Sequence, residues 1–328
     1  MNGVSVIICC YNSATRIAET LKHLLHQNIS NSIAWEVIVV NNASSDNTAD
    51  VARFVWQDNK VHNNFVVVDQ PIAGLASARQ KGIEVSKYDF LIFCDDDNHF
   101  AADYIDKAYH LMIQHVEVGI AGGWVKPKLP FYPGKWIESN YTALAIGKQA
   151  EHSKYVDWVF GAGMVFRKKI LEELKSRKIE LLLSDRKGIN QSSGGDAELC
   201  QLTRFLGYKI FFSTELVLHH QIEGKRLTKN SFLKSNFQNF HATIHLYLLE
   251  NLIQNKNKTL GILIITFIYE RLIRIIKAFP RLMFRRNSFL NFLEIYVGSF
   301  LLSWIVLHPA QVKKSFTGIK QNLYNGSR

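Results

Sequence analysis

The sequence predicts an α/β protein, with a Rossmann-like, mixed but mostly parallel sheet flanked by helices and an α-helical C-terminal extension. Three observations carry this expectation. Short β-branched apolar runs recur, each followed by a polar loop and then by apolar residues at helical spacing, which is the rhythm of a doubly wound sheet. The run Phe90-Leu91-Ile92-Phe93-Cys94 is apolar throughout, as a strand buried on both faces must be, and it stops abruptly in Asp95, Asp96 and Asp97. From Lys225 onward the chain holds 16 Lys and Arg against 3 Asp and Glu, whereas the residues before it are nearly neutral.

The elements follow in order. Val4 to Cys10 is a first strand, and Tyr11-Asn12-Ser13 is a turn placed to cap a helix beginning near Ala14. A second strand, Glu36 to Val40, runs into Asn41-Asn42-Ala43-Ser44-Ser45-Asp46-Asn47-Thr48, with a helix from about Ala49. A third, Phe65 to Val68, leads to Gly74-Leu75-Ala76-Ser77-Ala78-Arg79, where small residues let a helix lie close to its neighbours. Ala121 to Val125 and Gly207 to Phe212 read as further strands, and Leu216 to Gln221 returns His219 and His220 toward the same sheet edge.

At 328 residues and 47% hydrophobic content the chain suits a large packed core. Cys9, Cys10, Cys94 and Cys200 lie in apolar contexts without metal-ligand spacing and read as reduced core residues. Because Val4 to Ile8 already looks like a strand, no signal peptide is expected before it, and a cytoplasmic body is the expectation.

The chemistry starts at Asp95, Asp96 and Asp97. Three adjacent carboxylates repel one another, and a hard divalent cation with oxygen ligands, Mg2+ or Mn2+, is their natural partner. A solvated acidic turn is the plain alternative. Ligands of open α/β sheets sit beyond the carboxyl ends of the strands, where this cluster falls.

Four segments, in order, resemble the family 2 glycosyltransferases of the GT-A fold, inverting enzymes that use nucleotide-diphospho-sugars. They are Val4 to Asn12, Val39 to Thr48, Gly74 to Arg79, and Asp95-Asp96-Asp97. The resemblance covers roughly residues 3 to 228. It implies a catalytic domain over 1–228, divided into a nucleotide-binding half (1–98) and an acceptor half (99–228), with a basic extension over 229–328. It makes Tyr11, Asn12, Asn41, Asn42, Asp46, Arg79, Asp95 and Asp96 nucleotide contacts, and Asp97 and Asp95 metal ligands, with His220 completing the metal or diphosphate shell. Asn41 stands where the family commonly has Asp, and Gln80 where it has Asn. Arg79 also reads as one half of a surface ion pair, and His220 as an ordinary polar residue.

On the acceptor side, Asp157 to Lys168 resembles the family's glycine-containing segment and offers Trp158 and Gly161. Trp158 suits either a sugar face or the core. Gly195-Asp196 stands where the family usually shows Glu-Asp at the start of a helix, and it makes Asp196 the catalytic base rather than a helix N-cap, with Glu198 orienting the acceptor. No Gln-X-X-Arg-Trp sequence occurs, so single addition is expected over processive synthesis. The resemblance implies a nucleotide-sugar donor and a glycan or lipid-linked glycan acceptor of surface polysaccharide or lipopolysaccharide. A nucleotidyltransferase and a non-catalytic transferase-like scaffold are the alternatives.

In the extension, Thr259, Thr266, Glu270, Arg274 and Lys277 make one polar stripe, and Asn287, Asn291, Glu294 and Gly298 a second. Amphipathic helices with Arg281, Arg285, Arg286, Lys313, Lys314 and Lys320 beside them suit peripheral binding to the inner membrane face, or packing on the body or a second subunit. Nucleic acid is not expected, since the charge does not accompany a recognition motif.

Overall fold

The computed structural model describes residues 1–57, 64–183, 194–283 and 288–324. Ser192, Ser193, Arg285, Arg286 and Asn287 lie outside the described residues. The first half alternates strand and helix: β1 (Val4–Cys10), α1 (Ile17–Leu25), β2 (Trp35–Asn42), α2 (Thr48–Gln57), β3 (Phe65–Gln70), α3 (Leu75–Val85) and β4 (Phe90–Asp95). The second half contributes β5 (Asn98–Phe100), α4 (Tyr104–Gln114), β6 (Val118–Lys128), β7 (Lys154–Val156), β8 (Val165–Arg167), α5 (Lys168–Ser176), α6 (Gly195–Phe205) and β9 (Lys209–Gln221). Five helices follow: α7 (Lys229–Gln238), α8 (Phe240–Gln254), α9 (Leu260–Met283), α10 (Ser288–Leu307) and α11 (Pro309–Tyr324).

The strands form one sheet in the order β3-β2-β1-β4-β8-β6-β9-β5, with β7 on β9. The β3-β2-β1-β4 half is parallel, and its apolar runs are buried on both faces, as the composition requires. Beyond β4 the sheet turns mixed, because β8 pairs antiparallel with both β4 and β6, and β5 with β9. The break in the strand order falls beside β4, so the loops after β1, β2 and β4 open onto one edge. α3 lies hard on β1: a Cβ on Gly82 would stand 2.3 Å from Ile7 Cγ2, so only glycine fits there.

α1 begins at Ile17, not near Ala14. The residue expected to cap it, Ser13, turns its hydroxyl to the Asp96 carboxylate, and its carbonyl accepts from the Arg16 and Ile17 N–H groups in a turn that delays the helix. The segments read as two strands at 207–212 and 216–221 are one long strand, β9.

The extension divides. α8 and α11 bury Ile244, Leu248, Leu252, Val312, Ile319 and Leu323 in the same apolar cluster as Ile7, Leu199 and Cys200, so these two helices belong to the body's core. Arg204 meets Glu250 through two bonds of 3.1 and 2.7 Å, and Asn322 exchanges two with the Glu180 backbone. α9 and α10 pack mainly on each other, and much of their outer side is exposed.

Candidate active site

A pocket of about 490 Å3 opens above the carboxyl ends of β1, β2 and β4. Cys9, Cys10, Tyr11 and Asn12 line one wall, Asn42 and residues 73–75 a second, Asp95, Asp96 and Asp97 the floor, and His220, Lys225 and Arg226 the far side. Burial pushes the Cys9 thiol up to about 12, so this wall stays neutral.

The loops interlock before any ligand arrives. Asn12 sits at φ 50°, a conformation asparagine tolerates, and its side-chain oxygen accepts from Ser45 N–H at 2.8 Å. Asn42 is buried; its amide donates to the Gln70 and Ile72 carbonyls and its oxygen accepts from Gly74 N–H at 2.8 Å. Tyr11, 55% exposed, is left free to cover a flat ring.

Within the acidic triplet the three carboxylates part ways. Asp96 turns toward α1, accepting from Arg16 Nη2 at 2.7 Å and from the Ser13 hydroxyl, while the Thr20 hydroxyl donates to its backbone carbonyl. Burial, and then the neighbouring Asp97, raise the Asp96 pKa, and Arg16 opposes them. Asp96, expected as a nucleotide contact, lines the pocket floor and braces it against α1. Asp97 keeps Oδ1 at 3.4 Å from His220 Nε2, because β5 and β9 pair Asn98 with His220 and bring the imidazole over the triplet. The next residues along, His99 and His219, fall on the other face by strand alternation.

The donor set fits a small divalent cation. His220 is 3% exposed and its Nδ1 has no hydrogen-bond partner in the protein, and Asp95 and Asp97 supply hard oxygens in the same pocket. Among the described residues no three His, Cys, Asp or Glu side chains form a cage for an ion by themselves. Mg2+ and Mn2+ suit such an open arrangement, since they keep several waters and substrate phosphates in their shell.

Four more expected nucleotide or acceptor contacts are placed elsewhere. Asp46 is a staple: one oxygen accepts from Thr48 N–H and its hydroxyl, the other from Ala14 N–H at 3.1 Å, tying the loop after β2 to the approach to α1. Asn41 points toward β3, its amide donating to Asp69 Oδ1 at 2.8 Å, outside the pocket wall. Arg79 lies 4.6 Å above the Phe93 ring, with its Nη2 beside the Gly161 position where Asp196 is fastened. Glu198, 1% exposed, accepts from Leu182 N–H, Leu183 N–H and His245 Nε2 at 2.8–3.0 Å, so the acceptor role assigned to it is corrected to a buried clasp.

Asp196 does sit at a helix start, but Gly194 is the N-cap and Asp196 lies in the first turn. Its Oδ2 accepts from Gly161 N–H at 2.9 Å and its Oδ1 from Ala197 N–H at 2.9 Å. Gly161 is there because a Cβ would press on Asp196 Oδ2 at 3.2 Å and Arg79 Nη2 at 3.3 Å. Two residues on, Gly163 N–H donates to Phe93 O, so the segment carrying Asp196's partner is fastened to β4 just before the acidic triplet. Trp158 stands 36% exposed on that segment, edge-on to Phe160. Arg16 and His245 were not anticipated. Arg16 stands in the turn before α1, and His245 stands in α8 with no motif around it.

A strand order that switches beside an acidic triplet, under a pocket built by the loops after β1, β2 and β4, defines a GT-A-type α/β protein. The model of glycosyl transferase family 2 matches residues 5–175, over half of the chain, and the chain belongs to that family. EpsH of Bacillus subtilis is 35% identical over 105 residues, 32% of this chain and 29% of that protein. The poly-beta-1,6-N-acetyl-D-glucosamine synthase of Staphylococcus aureus is 33% identical over 98 residues, 30% of this chain and 22% of that protein. The matched stretch is thus under a third of either relative. Staphylococcus aureus TarS 1-349 with UDP-GlcNAc superposes at TM-score 0.54 and 16% identity, over 98% of this chain and 81% of that one. The mannosyltransferase PcManGT from Pyrobaculum calidifontis, with GDP-Man and Mn2+, does so at 0.56 and 15%, over 99% and 85%. At these identities the two structures speak for the fold alone.

Proposed function

We propose that the chain moves one sugar from a nucleotide-diphospho-sugar, UDP-sugars being favoured, with inversion, to a hydroxyl of a glycan in surface polysaccharide or lipopolysaccharide assembly. The observation that carries this is the meeting of Asp97 and buried His220 in a pocket fitted to a nucleotide, with Asp196 fastened to the adjoining end of β4. The family, the N-acetylglucosamine polymer made by one relative, and the UDP-GlcNAc and GDP-Man held by two similar folds support it. We read residues 1–98 as the donor half, 99–228 as the acceptor half and 229–328 as the extension.

In this reading Tyr11 covers the base, while Asn12 and Asn42 hold the loops that shape its slot. Asp97, Asp95 and His220 hold Mg2+ or Mn2+, which when bound offsets negative charge on the departing diphosphate. Lys225 and Arg226 add positive charge on the same side. Asp196 takes the proton of the acceptor hydroxyl as its oxygen bonds to the sugar C1; the bond from C1 to the diphosphate breaks, and the nucleoside diphosphate leaves with that electron pair. Trp158 is placed to guide the acceptor.

Thermal-shift titration with UDP-, GDP-, dTDP- and CMP-sugars, each with Mn2+ and with EDTA, tests the reading. A selective rise in Tm that needs metal is the expected result. No rise with any donor in folded protein would overturn it.

A further inference from the structure

We infer that the α9–α10 hairpin is a docking surface for an anionic lipid bilayer and lies in the headgroup–acyl boundary. Ile262, Ile265, Tyr269, Leu272, Ile276 and Phe279 recur every three or four residues along one side of α9, and each is 44–70% exposed. On α10, Phe292, Tyr296 and Phe300 are 41–47% exposed, the last two resting partly on Phe237, and Val306 and Leu307 are barer still. Contiguous apolar surface on this scale marks an interaction site rather than the scattered apolar atoms of any soluble surface.

The seam between the two helices also carries charge. Glu294 and Gly298, half of the expected polar stripe of α10, face α9: Glu294 lies 3.9 Å from Arg271, and a Cβ on Gly298 would stand 3.1 Å from Ile275. Along α9 the apolar stripe is 44–70% exposed, and lipid solvates such side chains where water does not. Beside the apolar side, Thr266, Glu270, Arg274, Lys277 and Arg281 form an exposed polar rim whose three cations outnumber its one acid.

These charges choose the occupant. Anionic headgroups meet the basic rim while acyl chains meet Ile265 and Ile276, the division of labour of an interfacial helix. A second copy packed through the same face would set like charges against each other across a two-fold. No single described helix is long and apolar enough to cross a membrane, and the Arg271–Glu294 pair at mid-hairpin suits a helix lying in the interface rather than spanning it.

Flotation of the full chain with phosphatidylcholine vesicles, and with vesicles also containing phosphatidylglycerol, tests the surface. Wild type is expected to float with the anionic vesicles and far less with the neutral ones. The double variant I265E/I276E, altered only at exposed positions, should bind the anionic vesicles at least about tenfold more weakly with unchanged Tm. Substitutions R274E/K277E/R281E should erase the preference for anionic lipid. Failure of wild type to float with either vesicle overturns the inference, as does wild-type binding by I265E/I276E. Concentration-dependent dimers in lipid-free sedimentation, abolished by I265E/I276E, would assign the face to a second copy and also overturn it.

Discussion

The acidic turn after β4 and the start of α6 each carry closely spaced carboxylates, and in each one carboxylate is held by side chains distant in sequence. After β4, Asp96 is held by Arg16 while Asp97 lies beside His220; at α6, Glu198 is held by His245 while Asp196 accepts from the Gly161 and Ala197 N–H groups. The difference is where the ties come from. Asp96 is held by Ser13 and Arg16, from the first strand-helix unit, whereas Glu198 is held by His245 of α8, deep in the extension. The acidic turn is therefore braced within the GT-A body. The start of α6 depends on α8.

The comparison breaks or sharpens at specific residues. The largest effect is expected for Asp196→Asn, which keeps the shape but removes the proton acceptor: kcat should fall by about 10^3-fold while the donor-induced rise in Tm survives. If turnover is unchanged, the base lies elsewhere. His245→Ala leaves Glu198 buried beside an empty position and should cost about 3–5 kcal/mol in denaturant unfolding, with a further loss of kcat in what remains folded. Retained stability would show that the clasp is ornamental and that the start of α6 stands without α8.

Asp97→Asn and Asp96→Asn separate ligand from brace. The first should weaken Mn2+ dependence of donor binding by on the order of tenfold or more with little change in unfolding. The second should leave metal dependence intact and cost about 1–3 kcal/mol, since the Arg16 guanidinium loses its charged partner. An exchange of these outcomes would reverse the two roles.

A pH effect belongs to the opposite face of β5. His99 is buried, stacks on His23 and neighbours Lys128, and burial followed by Lys128 lowers its pKa from 6.5 to about 4. In the unfolded chain it takes up its proton first, so this contribution to stability is complete above 6.5 and is lost as the pH falls toward about 4. Tm should drop through that window, and His99→Gln should flatten the drop. The smallest effect is expected at Ala43, whose φ of 51° strains any residue with a Cβ. Ala43→Gly should stabilise by about 1 kcal/mol, read from the denaturant midpoint, and a loss instead would show that the loop tolerates its strain.

Strands were legible because burial on both faces leaves an uninterrupted local pattern: Val4–Cys10 and the apolar part of β4 could be read without knowing any partner. The ordered motifs likewise led to Asp95 to Asp97 and Asp196. The short β5 and β8 were not legible, since three residues carry no period. The protein partners of Asp46, Asp96 and Glu198 were not legible, because a carboxylate in a polar loop looks the same whether it faces a ligand or a backbone N–H.

By itself, then, the sequence determined the alternation of strand and helix, the polar loops at the strand ends and the basic amphipathic extension, all of which rest on neighbours a few residues apart. The tertiary structure alone decided which partner each carboxylate takes. Arg16 and Asp96 are 80 residues apart, and Glu198 and His245 are 47 apart. Hydrogen-bond partners at such separations are chosen by how the sheet and helices pack, and no local period records that choice.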